Sequence, residues 1–144
     1  MIAFVRFIEN ESHVYVSAQP SNLYVMRRDG TGERRLTSTD SAITYEGSAS
    51  WSRDSRRIAF LSWSLGVAVV DADGGQLHGV SHSPSRAIGL SGPAWSPDGA
   101  KVLFSDEGGK LYIANADGSG LIRRVTPPME NGYAPWGALS WSSR

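Results

Sequence analysis

Short apolar runs separated by polar turns repeat at a constant interval along the chain. Three such runs, LYVM from Leu23, VAVV from Val67 and LYIA from Leu111, begin 44 residues apart. An Asp-Gly pair follows each run, with the same spacing. Short apolar, β-branched runs bounded by Gly, Asp and Pro are typical of strands, and this spacing is too tight for helices of ordinary length. The pattern therefore predicts an all-β fold built from one repeated module.

Two further features complete the module. Trp-Ser occurs at Trp51, Trp95 and Trp141, spaced by 44 and then 46 residues, and apolar triplets begin at Ile2, Ile58 and Val102. We label the Trp-Ser run strand A, the triplet strand B, the LYVM-type run strand C, and the run after Asp-Gly strand D. Asp-Gly suits a two-residue hairpin with positive φ, and the Ser-Pro-Asp-Gly stretch at 96–99 suits a type I turn, so consecutive strands should be antiparallel neighbours. Four strands in about 44 residues predict one blade of a β-propeller.

The third module also carries a family resemblance. Its sequence AWSPDGAKVLFSDEGGKLYIANADGSGLIRRVT, from Ala94 to Thr126, resembles the TolB-like (WD-like) β-propeller repeat, which runs Trp-Ser-Pro-Asp-Gly, Ile-Ala-Phe, an Ile-Tyr-Val strand, Asp-Gly and Arg-Leu-Thr. The resemblance extends over nearly the whole chain and is weakest where residues 52–55, Ser-Arg-Asp-Ser, lack Pro and Gly. It implies a propeller, usually six-bladed, of a kind that binds proteins or peptides.

We expect a single unit over residues 1–144, with three four-stranded blades in repeats of approximately 2–52, 58–96 and 102–142. Three blades cannot close a ring, since propellers begin at about four blades. The chain starts at a B strand and ends just after an A strand, so we expect a homodimer that completes a six-bladed ring. In it, residues 138–142 of each copy pair with the strand from Ile2 to Phe7 of the other. The alternatives are that the chain is a fragment of a propeller with six to eight blades, or that four copies assemble with a larger symmetry.

Composition narrows the function further. With 14 basic and 14 acidic residues the chain has no net charge, which disfavours nucleic acid and anionic membranes as partners. The three histidines, His13, His78 and His82, lack the spacing of a zinc site, and the Asp-Gly turns lack the later oxygen ligands of a calcium loop. We therefore expect no catalytic residue, metal or cofactor, and we place His78 on the surface of an outer strand. No signal peptide or membrane span is recognised, which predicts a soluble chain and leaves the compartment open, a periplasmic or extracellular one included if the chain is a fragment.

The candidate binding residues lie in the variable connections. In a meander, the A–B and C–D hairpins leave at one rim and the B–C and D–A connections at the other. The first rim carries the uniform turns, so we expect a partner at the second, where loops vary on a rigid frame. The candidates are aromatic, charged or histidine side chains, types that include those enriched in binding hot spots. They are Tyr45, Glu46, Trp63, His82, Arg86, Glu130, Tyr133 and Trp136.

The sequence thus predicts a non-enzymatic propeller scaffold that binds a protein or peptide through loops on one rim. The alternative is a propeller segment of an enzyme, either the gating domain of a prolyl-oligopeptidase-like protease or a metal-dependent, polysaccharide-lyase-like propeller.

Overall fold

The computed structural model describes residues 1–7, 21–38, 49–62, 64–81, 92–106, 110–120, 122–125 and 139–142. Regular structure within these ranges is entirely β, which confirms the all-β prediction. The strands are β1 (Ile2–Phe7), β2 (Ser21–Met26), β3 (Arg34–Arg35), β4 (Ser50–Trp51), β5 (Arg57–Ser62), β6 (Gly66–Asp71), β7 (His78–Gly79), β8 (Ala94–Trp95), β9 (Lys101–Ser105), β10 (Leu111–Asn115) and β11 (Arg123–Arg124). None of the described residues belongs to a helix able to cross a membrane.

The strands form three antiparallel sheets, each a meander in chain order. Sheet 1 contains β1 to β3, sheet 2 contains β4 to β7, and sheet 3 contains β8 to β11. Sheets 2 and 3 have the predicted A, B, C and D strands. Sheet 1 has B, C and D strands only within the described residues. Residues 139–142, from the last predicted A strand, carry no strand pairing in the described part of the chain, although Trp141 contacts sheet 3.

Sheet 2 lies between the other two sheets and forms the centre of the core. Ile58, Phe60, Ala68 and Val70 pack with the apolar side chains of sheet 1. The alternate residues, Ala59, Leu61, Val67 and Val69, pack with those of sheet 3. Because successive side chains of a strand point to opposite faces, a strand covered on both faces needs apolar residues at every position. This two-sided burial explains the continuous run from Val67 to Val70.

The Asp-Gly hairpins of sheets 1 and 2 have three-residue loops, one residue longer than the sequence predicted. In sheet 2, the N–H of Asp71 donates to the carbonyl of Gly75 over 2.9 Å, and the N–H of Gly74 donates to the carbonyl of Asp71 over 2.8 Å. Gly74 has a φ of 92°, the one positive value in the loop 72–74. A type I turn followed by a left-handed Gly gives this geometry, so the Gly is required and the residue before it is not strained.

Candidate interaction surfaces

The A–B turns of sheets 2 and 3 bind their own polar groups. The Ser52 hydroxyl donates to Asp54 Oδ1 over 2.6 Å, and the Ser96 hydroxyl donates to Asp98 Oδ1 over the same distance. Each carboxylate also accepts a backbone N–H from two residues further along. These hydrogen bonds lower the pKa of Asp54 and of Asp98, and the bond from the Ser hydroxyl has the largest effect. The carboxylates therefore stabilise the turns through Oδ1.

The turn at residues 52–55, which lacks Pro and Gly, has the same geometry as the Ser-Pro-Asp-Gly turn at 96–99. Ser55 donates its N–H to Ser52 and Gly99 donates to Ser96, both over 2.9 Å. Ser55 has a φ of 57° and Gly99 one of 69°. A left-handed backbone is unfavourable for a residue with a Cβ, so Ser55 is held there by the surrounding hydrogen bonds.

The C–D turns use their Asp side chains in the same local way. Asp29, Asp73 and Asp117 each accept the backbone N–H of the residue two positions later, at 2.9 to 3.0 Å. The backbone hydrogen bond from Thr31 lowers the pKa of Asp29, and the side-chain hydrogen bond from Ser119 lowers that of Asp117. No group of three or more His, Asp or Glu side chains that could hold a metal occurs among the described residues.

The D strand of one sheet contacts the C–D turn of the next. Arg34 in β3 donates to the carbonyl of Ala72 over 2.5 Å and also to the carbonyl of Asp73. His78 in β7, at the equivalent place, lies 3.0 Å from the carbonyl of Ala116 through Nε2. Arg34 pairs with Val25 and His78 with Val69, which shows that the two links occupy the same register.

The placement of His78 corrects the sequence prediction. We expected an outer-strand surface residue, but its half-buried ring bridges sheets 2 and 3. No local signal marked this role, because the acceptor is 38 residues away. In sheet 3 the same register position is Arg123, which pairs with Ile113. The Arg123 side chain is exposed, and its guanidinium makes no hydrogen bond to any described residue.

The tryptophans connect the A strands of successive modules. Trp95 Nε1 donates to the carbonyl of Ser50 over 3.0 Å, and Trp141 Nε1 donates to the carbonyl of Ala94 over 3.0 Å. Both acceptors are the residue before the Trp of the preceding module. Trp141 therefore lies beside sheet 3 as Trp95 lies beside sheet 2, in the place of a next A strand. Trp95 is 9% exposed and belongs to the core between sheets 2 and 3.

One cation strengthens the contact between sheets 2 and 3. The guanidinium of Arg57 lies 4.9 Å from the ring centre of Trp95 and donates to the carbonyl of Gly99 over 2.7 Å. Trp51, by contrast, is half-buried, and its indole N–H has no acceptor among the described residues. Trp95 and Trp141 thus each bind the A strand of the preceding module, whereas Trp51 has no preceding A strand among the described residues.

An open cleft of about 320 Å³ lies between the A-strand segments. It is lined by residues 50–51, 93–97 and 139–141 together with Arg53, the one charged side chain of its lining. The other lining residues are Trp, Pro, Ala, Leu and Ser. The described lining of this cleft offers hydrogen bonds and apolar contact.

All eight binding residues predicted from the sequence lie outside the described residues. They fall in the connections at 39–48, 63, 82–91 and 126–138. The described strand ends to which these connections attach are opposite the A–B and C–D turns, as the meander requires.

Comparison with known proteins adds no assignment: no family model matches the chain, and no curated protein matches it. The resemblance to TolB-like repeats stays a prediction.

Proposed function

We propose that the three sheets are consecutive blades of a TolB-like β-propeller, and that this propeller is a non-enzymatic scaffold for a protein or peptide. The observation that carries the proposal is the repetition of two inter-sheet links. The Trp link joins A strands at one side of the row, and the link from strand D to the next C–D turn joins the sheets at the other. Links that recur once per module at equivalent positions are what a radial array of blades requires.

The rim opposite the uniform turns is the proposed binding surface. At the turn rim, the Asp and Ser side chains are engaged in hydrogen bonds within their own turns. The opposite strand ends carry the long connections between modules, in which the aromatic and charged candidates fall. The short B–C turn that holds Trp63 joins β5 and β6, whose side chains are almost all buried. A rigid frame that presents variable loops is the usual arrangement of a recognition surface.

Selection from a random-peptide phage library tests this proposal. The immobilised 144-residue protein is compared with a loop variant, Tyr133→Ala with Trp136→Ala, and with a turn-rim variant, Arg53→Ala with Arg56→Ala. We expect enriched peptides to bind the loop variant at least about tenfold more weakly, because aromatic side chains dominate hot spots, and to bind the turn-rim variant normally. The proposal is wrong if no peptide is enriched, or if binding depends on the turn rim instead.

A further inference from the structure

Each end of the three-sheet row has an apolar face that no described element covers. The front face of sheet 1 carries Ile2, Phe4, Tyr24 and Met26, which alternate with the residues packed on sheet 2. The guanidinium of Arg6 lies over the Phe4 and Tyr24 rings on this face and pairs with Glu33. The rear face of sheet 3 consists of Leu103, Leu111, Ile113 and Val125, which alternate with the residues packed on the other side of sheet 2. These eight side chains are half-buried or exposed.

The residues at equivalent positions in the other sheets are buried, so both faces carry side chains that are buried elsewhere in the chain. Ile2 is 38% exposed, whereas Ile58 and Val102, which begin the same triplet in the other modules, are 0% exposed.

The rear face shows the same contrast. Val125 is 40% exposed, whereas Leu36 is 8% and Val80 is 1% exposed. These three residues are equivalent, because each donates its N–H to the carbonyl of the first core residue of strand C, at 2.8 to 2.9 Å. In sheets 1 and 2 this position is covered by the following sheet.

The two uncovered faces have the features of two faces that already bind each other inside the chain. Phe4 and Tyr24 stack with ring centres 5.6 Å apart at 22°. Phe104 and Tyr112 stack almost identically in sheet 3, at 5.8 Å and 20°, on the face that packs against sheet 2. The front face of sheet 1 thus repeats the front face of sheet 3. Its fitting occupant is a rear face of the kind that sheets 2 and 3 present.

We propose that the rear face of sheet 3 binds the front face of sheet 1 in a second copy of this chain, and that two such contacts close a ring of six sheets. This inference rests on the proposed propeller arrangement. Each copy carries both complementary faces, so a two-fold pair covers all four faces at once and leaves no sheet edge open.

The internal links specify the strand contact in the pair. In sheet 2, Ser50 pairs with Ala59 and Trp51 with Ile58. Ala3 and Ile2 hold the positions of Ala59 and Ile58 in β1, so Ser140 and Trp141 of one copy pair with Ala3 and Ile2 of the other. The indole N–H of Trp51, which has no described acceptor, then donates to the carbonyl of Ser140, as Trp95 does to Ser50.

A second contact follows from the link at the D strands. Arg34 binds the carbonyls of Ala72 and Asp73 in the next C–D turn. Arg123 holds the equivalent position in sheet 3, and the equivalent turn in a second copy offers the carbonyls of Arg28 and Asp29.

Light scattering during size-exclusion chromatography tests the pairing first. We expect the wild-type chain to have twice its monomer mass of 15.5 kDa. Ile2→Glu and Val125→Glu should each give a monomer with an unchanged far-ultraviolet circular dichroism spectrum, because a charge in a dry interface is costly. The matched control is Arg56→Glu, a charge change at an exposed turn, which should stay dimeric. A monomeric wild type, an open-ended polymer, or dimeric Ile2→Glu and Val125→Glu proteins overturn the proposal.

Engineered cysteines test the register, since the chain has no cysteine of its own. Directly opposed residues of antiparallel strands have Cβ atoms about 4.5–5.5 Å apart, close enough for a disulfide to form with small movement. Ala3→Cys combined with Ser140→Cys should therefore oxidise to a covalent dimer on non-reducing gels. Val5→Cys combined with Ser140→Cys, shifted by two residues, should give several-fold less. A product that remains monomeric, or equal yields from both pairs, contradicts the docking.

The two proposals fail in different ways. Loss of pairing together with retained loop-dependent peptide binding would reject the docking and keep the scaffold. A dimer whose peptide binding depends on the turn rim would keep the docking and reject the proposed binding surface.

Discussion

Sheet 2 and the two sheets that flank it share the same pattern of apolar residues, but their strands are buried to different extents. In β5 every residue from Ile58 to Ser62 is buried, whereas in β1 the equivalent positions from Ile2 to Val5 are exposed or half-buried. The side chains themselves are similar, since both strands contain Ile-Ala-Phe. The difference lies in the neighbours: sheet 2 has a sheet on each side. An apolar residue at a strand position thus encodes a face that can be buried, and an adjacent sheet decides whether it is.

The largest effect is expected when the phenylalanine of the Ile-Ala-Phe triplet is replaced in sheet 2 and in sheet 1. Phe60 is 0% exposed, so Phe60→Ala should lower the free energy of unfolding by about 3–5 kcal/mol. Phe4 is half-buried on the outer front face, and Phe4→Ala should cost less than half as much in dilute solution. Urea unfolding followed by circular dichroism measures both. If the chain pairs as proposed, raising the protein concentration should narrow the gap, because the second copy would cover Phe4; equal costs at high dilution would contradict the contrast.

The tryptophans provide the next comparison. Trp95→Phe removes a donor that binds Ser50, and leaves that carbonyl without this partner, so we expect a loss of about 1–3 kcal/mol. Trp51→Phe removes an indole N–H without a described acceptor and should cost less within one copy. Thermal unfolding of both variants at low concentration checks the difference. If Trp51→Phe is the more damaging of the two under these conditions, Trp51 has an acceptor within its own chain.

A smaller effect is expected at the A–B turns, where sheet 2 has Ser55 and sheet 3 has Gly99. Space does not limit this site, since a Cβ on Gly99 would meet a guanidinium nitrogen of Arg57 at 3.4 Å, an ordinary contact. Backbone conformation does, so Gly99→Ser should destabilise by about 1–2 kcal/mol. Ser55→Gly should stabilise by about 0.5–1 kcal/mol, because relief of the left-handed strain exceeds the added chain entropy. Opposite signs in chemical denaturation support this reading, and a shared sign rejects it.

The smallest expected effect is the response to acid, which should be alike in sheets 2 and 3. Hydrogen bonds from Ser52 and Ser96 lower the pKa of Asp54 and Asp98 below the ordinary value of 3.8. A carboxyl group whose pKa is lower in the folded than in the unfolded protein stabilises the fold at pH above its unfolded pKa. This stabilisation is lost as the pH falls through the folded pKa. Asp54→Ala and Asp98→Ala should therefore each reduce the drop in melting temperature between about pH 5 and 2 by a similar small amount. A drop unchanged in both variants would show that these turns do not contribute.

The local parts of the fold could be predicted from the sequence. Strand positions follow from apolar runs, and turns follow from Asp-Gly and from Ser-Pro-Asp-Gly at 96–99. Side-chain alternation and hydrogen bonds between residues two positions apart act within a few positions of the chain. The module length followed from the same signals. The extra residue in the hairpin loops of sheets 1 and 2 was missed, since Asp-Gly is compatible with two-residue and three-residue hairpins.

The contacts between modules were decided by the tertiary structure. The acceptors of Arg34, His78, Trp95 and Trp141 are backbone carbonyls 38 to 47 residues away. A carbonyl is present at every residue, so nothing in the sequence marks which one will be used. The same holds for Ser55, whose left-handed backbone is fixed by partners in its turn and not by its own preference. The sequence determined that each sheet has two apolar faces, and the packing of one sheet on the next determined which of those faces are covered.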